Sequence, residues 1–184
     1  MTGEWRKITA PLGDGDVEAI RSGDLFLLSG TLYTARDKAH ERISGIVRSG
    51  GEMPFDARGQ IIYYTGPSPA PPGRPIGSAG PTTSYRMDPF TGVMLGLGVK
   101  GMIGKGGRDE KTRRLLAEFR AVYFSTFAGA GAYLGKRIRE ASVVAFEDLG
   151  PEAVYRLAVE DFPLIAINDI YGGDLYESAL RKRG

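Results

Sequence analysis

Short apolar runs bounded by glycine or turn residues alternate along the chain with stretches of helical spacing, and this alternation limits the fold more than any other feature. Residues 24–30 form one such run, short and closed by Gly30, which fits a buried strand better than a helix. Residues 60–65 are β-branched and aromatic, 99–104 are glycine-rich, 121–126 carry Val122, Tyr123 and Phe124, and 142–146 and 164–168 complete the series. Residues 5–9 add an edge strand. Between these runs, residues 14–21 fit a short helix or turn. Residues 31–43 are rich in helix formers, with Thr34 placed as an N-cap, so that Arg36 and His40 share a face four residues apart. In 83–97, Tyr85, Met87, Phe90, Val93, Met94 and Leu97 recur at helical spacing. Pro89 there is either N1 after an Asp88 cap or part of the first turn of a helix begun at Thr83. Residues 109–120 are amphipathic, with Leu115, Leu116 and Phe119 inward, and further helices are expected over 129–139 and after Gly150, where Pro151 fits N1. Strands alternating with helices predict an α/β domain, a mixed sheet covered by helices in a three-layer arrangement. At 184 residues the chain is one domain, residues 1–184, large enough to bury a core without metal or disulfide staples.

Composition then removes whole classes of function. Lys and Arg number 24 against 22 Asp and Glu, a net charge of +2, too balanced to argue for nucleic acid or an anionic membrane. There is no cysteine, which excludes disulfides and any iron–sulfur cluster or thiolate zinc site held by this chain alone. The single histidine, His40, excludes a multi-histidine metal site. The charged start of the chain is followed by no long apolar run, so neither a signal peptide nor a membrane span is expected, and a cytoplasmic location is.

Residues 77–88 place glycines, a proline, the hydroxyls of Thr82, Thr83 and Ser84, and Arg86 where a loop runs into a helix, a setting suited to a small anion. The Pro/Gly-rich stretch 66–81 before it reads either as a linker or as a functional loop, and the strands on both sides favour the loop. Nucleotide motifs fail. Residues 96–101 have the letters of a dinucleotide fingerprint, but a helical pattern precedes them and a strand follows, the reverse of the required order. Residues 98–105 hold one residue too many for a P-loop, and no serine sits in an elbow motif. What survives is Arg36 and His40, Thr82 and Arg86, and Lys105 among Gly104, Gly106 and Gly107. Two guanidinium forks and an ammonium group can hold a dicarboxylate. Each also has an ordinary structural reading: Arg36 and Arg86 as ion-pair partners of Asp37 or Asp88, His40 as a satisfied core histidine, Thr82 as a cap.

Five ordered stretches, residues 30–40, 64–67, 80–87, 104–107 and 147–150, together resemble the iron–sulfur hydro-lyase β family. This is the β subunit, or carboxy-terminal domain, of class I fumarase and of L-tartrate dehydratase, and the resemblance covers nearly the whole chain. It implies a swivelling β/β/α domain and reversible hydration of fumarate to L-malate, or dehydration of tartrate to oxaloacetate. It further implies a 4Fe-4S cluster carried by three cysteines of an α subunit, which this cysteine-free chain would need as a partner in a hetero-oligomer. Under the resemblance Arg36, Arg86 and Lys105 are substrate-binding, Thr82 corresponds to the proposed base at C3, and His40 lies in a motif where a histidine has been considered catalytic. On pKa grounds histidine is the easier base and a threonine hydroxyl needs a neighbouring cation, so both stay open. The partner surface is expected beside these loops, with the proline-rich segment 67–75 lining it. A non-catalytic dicarboxylate-binding or assembly domain is the alternative of another class.

Overall fold

The computed structural model describes residues 4–182. The apolar runs form strands β1 (Trp5–Ala10), β2 (Leu25–Thr34), β3 (Ile61–Tyr63), β4 (Gly101–Gly104), β5 (Val122–Ser125), β6 (Ile138–Ala145) and β7 (Val154–Asn168). They pair in the order β1-β2-β3-β4-β5-β7-β6, and β2 also pairs with β7. From β1 to β5 the neighbours are parallel, whereas β7 runs antiparallel to β2, β5 and β6. Because β7 joins both β2 and β5, the pairings β2-β3-β4-β5-β7-β2 close into a ring, which leaves β1 and β6 as the outer strands. The sheet is mixed, and β1 is at an edge, as expected.

Strand side chains alternate between two cores, as the two-residue period of a strand requires. Ile61, Tyr63, Ile103, Val122 and Phe124 enter one with Phe26, Leu28, Leu157 and Phe162. Ile62, Tyr64, Met102 and Tyr123 enter the other. There they meet Ala39 and Ile43 of α2 (Asp37–Arg48), Met94 and Leu95 of α3 (Asp88–Gly96) and Leu116 of α4 (Glu110–Glu118), after the short α1 (Asp14–Glu18). Burial on both faces explains why β3 to β5 read as continuous apolar runs.

Several expectations fail, each for a tertiary reason. Gly30 does not close its strand. With φ of +109° it carries a register shift against β7, and a Cβ there would lie 2.4 Å from the Ala10 carbonyl oxygen. The strand continues to Thr34, which is therefore buried in β2 rather than capping a helix. Its hydroxyl donates to the Ala153 carbonyl (3.2 Å) and accepts from the Tyr155 N–H (2.9 Å). The helix begins at Asp37, with Arg36 at its N-cap.

The helix expected over 129–139 shrinks to α5 (Gly131–Gly135), because Ile138 onward pairs with β7. Directly after Gly150 the expected α-helix does not form: a 3-10 segment, Glu147–Glu152, leads into fifteen residues of strand held between β2 and β6, of which 164–168 were expected as strand. Pairing on both sides overrides the helical propensity of that stretch. Phe119 is 37% exposed because α4 ends before it. The reading also missed α6 (Leu175–Arg181), although its cap is visible in sequence: Asp174 accepts from the N–H groups of Tyr176 and Glu177. The ambiguity at Pro89 resolves as a 3-10 turn, Ser84–Met87, followed by α3 with the proline in its first turn.

Candidate active site

The C-terminal ends of parallel strands gather the loops of an α/β sheet on one edge, where such folds place their ligands. Here β2 leads to Arg36, β3 to Tyr64–Gly66 and β4 to Lys105. Residues 66–81 are an ordered loop rather than a linker. The Ser68 N–H donates to the Ser78 carbonyl (2.9 Å) and the Gly77 N–H to the Ser68 carbonyl (3.1 Å). Tyr63 and Thr65 hydroxyls donate to the carbonyls of Ala79 (2.5 Å) and Gly80 (2.8 Å). So anchored, the loop delivers residues 82–84 to the ends of β3 and β4. The Thr82 N–H donates to the Tyr64 carbonyl (2.6 Å), the Lys105 N–H to the Thr82 carbonyl (3.2 Å), and the Ser84 N–H to the Lys105 carbonyl (2.9 Å). Thr82 and Lys105 thereby share one backbone ladder, and both side chains are half-buried.

This crossing requires a glycine at 104. A Cβ there would come within 2.0 Å of Ser84 Oγ and 2.9 Å of Tyr64 Cδ2, both on fully buried residues.

Arg36 lies against Gly66, with its Nη2 3.6 Å from Glu152 Oε1. Arg86, on the 3-10 turn, puts Nη2 2.9 Å from Asp37 Oδ2, close enough for an ion pair but not aligned as a hydrogen bond. Arg36 is the N-cap of α2 and Arg86 faces its first residue, and the pairing of Arg86 with Asp37 is the structural alternative that the sequence offers. Among the described residues Lys105 has no carboxylate at ion-pair distance, unlike either arginine.

His40 does not share a face with the Arg36 side chain, because Arg36 sits outside the helix. The imidazole is buried, edge-on to Tyr64 and stacked on Phe90, and its Nδ1 is 2.8 Å from the Arg36 carbonyl. A carbonyl only accepts, so Nδ1 carries the proton. Burial, opposed by that hydrogen bond, lowers its pKa to about 4, and the ring is neutral at pH 7.

Sequence reasoning missed the brace beneath these loops. Arg108, with a fully buried side chain, donates from Nε to Asp88 Oδ1 (2.5 Å) and from Nη2 to Thr91 Oγ1 (2.6 Å), and lies over the rings of Tyr64 and Tyr123. Asp88 Oδ2 also accepts from the Asp109 N–H (2.9 Å). Arg108 follows Lys105 by three residues and Asp88 follows Arg86 by two, so one buried pair ties both cation-bearing loops together. Tyr123 adds a second tie: its hydroxyl is 2.8 Å from Ser84 Oγ and donates to the Gly106 carbonyl (2.7 Å). No sequence signal separated Arg108 from the chain's other arginines.

The site is thus a cation- and hydroxyl-bearing rim at the strand ends of a mixed α/β domain, set on a buried polar floor. The sequence profile of the family described as Fumarase C-terminus matches residues 7–179, and the chain belongs to that family. It is 35% identical over 173 residues to a putative L(+)-tartrate dehydratase subunit beta of Methanocaldococcus jannaschii, covering 91% of this chain and 89% of that protein. To the L(+)-tartrate dehydratase subunit beta of Escherichia coli it is 34% identical, covering 91% and 85%. A putative class I fumarate hydratase of Geobacillus stearothermophilus is 34% identical over 181 residues, 95% of this chain but 34% of that protein. Against the fumarate hydratases the chain therefore spans about a third of their length or less.

The residues present do not fit an iron–sulfur cluster. The chain has no cysteine, its one histidine is buried under Phe90 and Tyr64, and the described residues contain no group of three His, Asp or Glu arranged around a metal. No described helix is long and apolar enough to cross a membrane.

Proposed function

We propose that this chain, a single domain of the swivelling β/β/α class, is the β component of a cytoplasmic class I hydro-lyase that interconverts fumarate and L-malate. The observation that supports the reading is the placement of Arg36, of Lys105 and of the loop carrying Thr82 and Arg86 after the ends of β2 to β4, with Thr82 and Lys105 joined through the backbone. A C4 dicarboxylate carries two negative charges about a short backbone, and three cations on separate loops can clamp both ends and fix the carbons between them. Thr82 is held by backbone bonds on both sides, one of them from the Lys105 N–H, and serves as the proton-transfer group at C3. His40, neutral and walled in, holds the Arg36 carbonyl. The family resemblance implies a 4Fe-4S cluster on an α subunit, which would supply Lewis acidity when bound there; this chain supplies binding, orientation and the proton at C3, with the segment 67–75 beside the joint.

L-tartrate dehydration is the second reading, favoured by the two tartrate dehydratase β subunits matched over most of their length.

The test assembles the chain with a cluster-bearing α subunit and assays fumarate, malate and tartrate. Thr82→Ala is expected to lower kcat by about 100-fold with little change in KM. Preference for tartrate selects the second reading, and dicarboxylate binding without turnover of any of the three selects a binding domain. A Thr82→Ala enzyme with near-normal kcat removes Thr82 from the chemistry.

A further inference from the structure

Two carboxylates stand behind the arginines without using up their donors. Glu152 Oε1 is 3.6 Å from Arg36 Nη2, beyond hydrogen-bond length, while its Oε2 accepts from the Lys38 N–H at 3.1 Å. Glu152 therefore caps α2 from a segment 114 residues away, a service that the N-cap residue Arg36 does not perform with its own side chain. Arg36 Nε is buried and has no partner, although its guanidinium is confined: a Cβ on Gly66 would lie 2.7 Å from Nη1 and 3.1 Å from the Pro151 carbonyl oxygen. Both Arg36 and Glu152 side chains are about a quarter exposed, so the pair is reachable from solvent yet partly shielded from it. An ion pair of this length aims a guanidinium by charge and leaves its N–H groups for a ligand. Asp37 stands toward Arg86 in a similar way, at 2.9 Å without an aligned hydrogen bond.

We infer that Glu152 is a positioning residue for dicarboxylate binding. It fixes the start of α2 through the Lys38 N–H and holds the Arg36 guanidinium by charge, so that the Nη groups, which the 3.6 Å ion pair leaves without a hydrogen bond, meet a substrate carboxylate already aimed. This rests on the hydro-lyase reading above. Pre-aiming matters because a flexible arginine loses rotamer freedom on binding, which weakens the clamp.

The experiment uses the assembled enzyme. Glu152→Gln keeps an acceptor for the Lys38 N–H and removes the charge. It is expected to raise KM for the dicarboxylate about tenfold while kcat stays within about twofold. In an Arg36→Met background the same change is expected to leave KM where Arg36→Met has put it, because the effect passes through that guanidinium. An unchanged or lowered KM overturns the inference, the latter by marking Glu152 as a competitor of substrate. A tenfold rise that persists in the Arg36→Met background overturns it too, as a general structural effect.

Glu152→Ala removes the acceptor as well, and amide exchange across residues 36–40, read by mass spectrometry, is expected to quicken about tenfold. Unchanged exchange overturns the inference whether or not the enzyme works. Quickened exchange in an assembly that turns over no C4 dicarboxylate sinks the hydro-lyase reading instead and upholds the anchoring of α2.

Discussion

Arginine meets carboxylate both on the floor of the site and on its rim, and the two settings give opposite results. On the floor the Arg108 and Asp88 side chains are 0% and 6% exposed, and their polar atoms are taken up by each other, Thr91, the Tyr64 hydroxyl, Met102 sulfur and the Asp109 N–H. On the rim the Arg36–Glu152 and Arg86–Asp37 side chains are 22–44% exposed, and neither pair closes a hydrogen bond. Removing one partner of a dry pair strands a charge with nothing to replace it, whereas water replaces a lost partner at the rim. The floor can therefore serve shape alone, and the rim keeps donors for a ligand.

The sharpest way to break this contrast is at Arg108. Arg108→Met leaves Asp88 charged and buried, and urea unfolding should show a loss of about 3–5 kcal/mol; a loss below about 1 kcal/mol would mean that the floor is wetter than its burial indicates.

Acid should act on the floor through His40. Its folded-state pKa of about 4 is below the ordinary 6.5, so the unfolded chain binds the proton more readily. Stability is then complete above pH 6.5 and declines as pH falls toward 4, by about 3 kcal/mol for this group. Thermal melts across that range, compared with His40→Gln, test it: the variant should lose that part of the slope, and parallel curves would remove His40 as the cause.

Gly104→Ala probes the tight crossing where floor and rim meet. Ser84 and Tyr64 are buried and cannot retreat freely, so a cost of about 1–3 kcal/mol is expected in chemical denaturation, with weakened dicarboxylate binding as Thr82 and Lys105 shift.

The smallest effect on stability belongs to the rim itself. Arg86→Ala should change the unfolding free energy by less than about 1 kcal/mol. The same variant should abolish the rise in melting temperature produced by malate in the assembled enzyme; an unaltered ligand shift would place the clamp elsewhere.

These contrasts also separate what was readable from what was not. The strand over residues 24–30, the helix within 109–120 and the inward Leu116 follow from local rules, since an apolar period acts within a few residues. The extension of β2 through Gly30 to Thr34, and the strand over 154–163 where a helix was expected ahead of the expected strand at 164–168, depend on partners more than a hundred residues away. The rim residues were legible as types, because arginine, lysine and threonine beside glycine announce anion chemistry. Which carboxylate each arginine would face was open, and the floor of Arg108, Asp88, Tyr64 and Tyr123 was hidden, since a buried arginine has the same letter as a surface one.

The sequence alone determined that this cysteine-free chain forms no disulfide and holds no cluster through its own thiolates, that strands alternate with helices, and that cations and hydroxyls crowd the stretch around Gly80. Only the tertiary structure decided that loop 66–81 is pinned rather than slack, that His40 is sealed and neutral, and that two carboxylates stand behind Arg36 and Arg86. Residue type sets what a side chain can do chemically; burial and the partner opposite, which arise only when distant segments pack, set what it does.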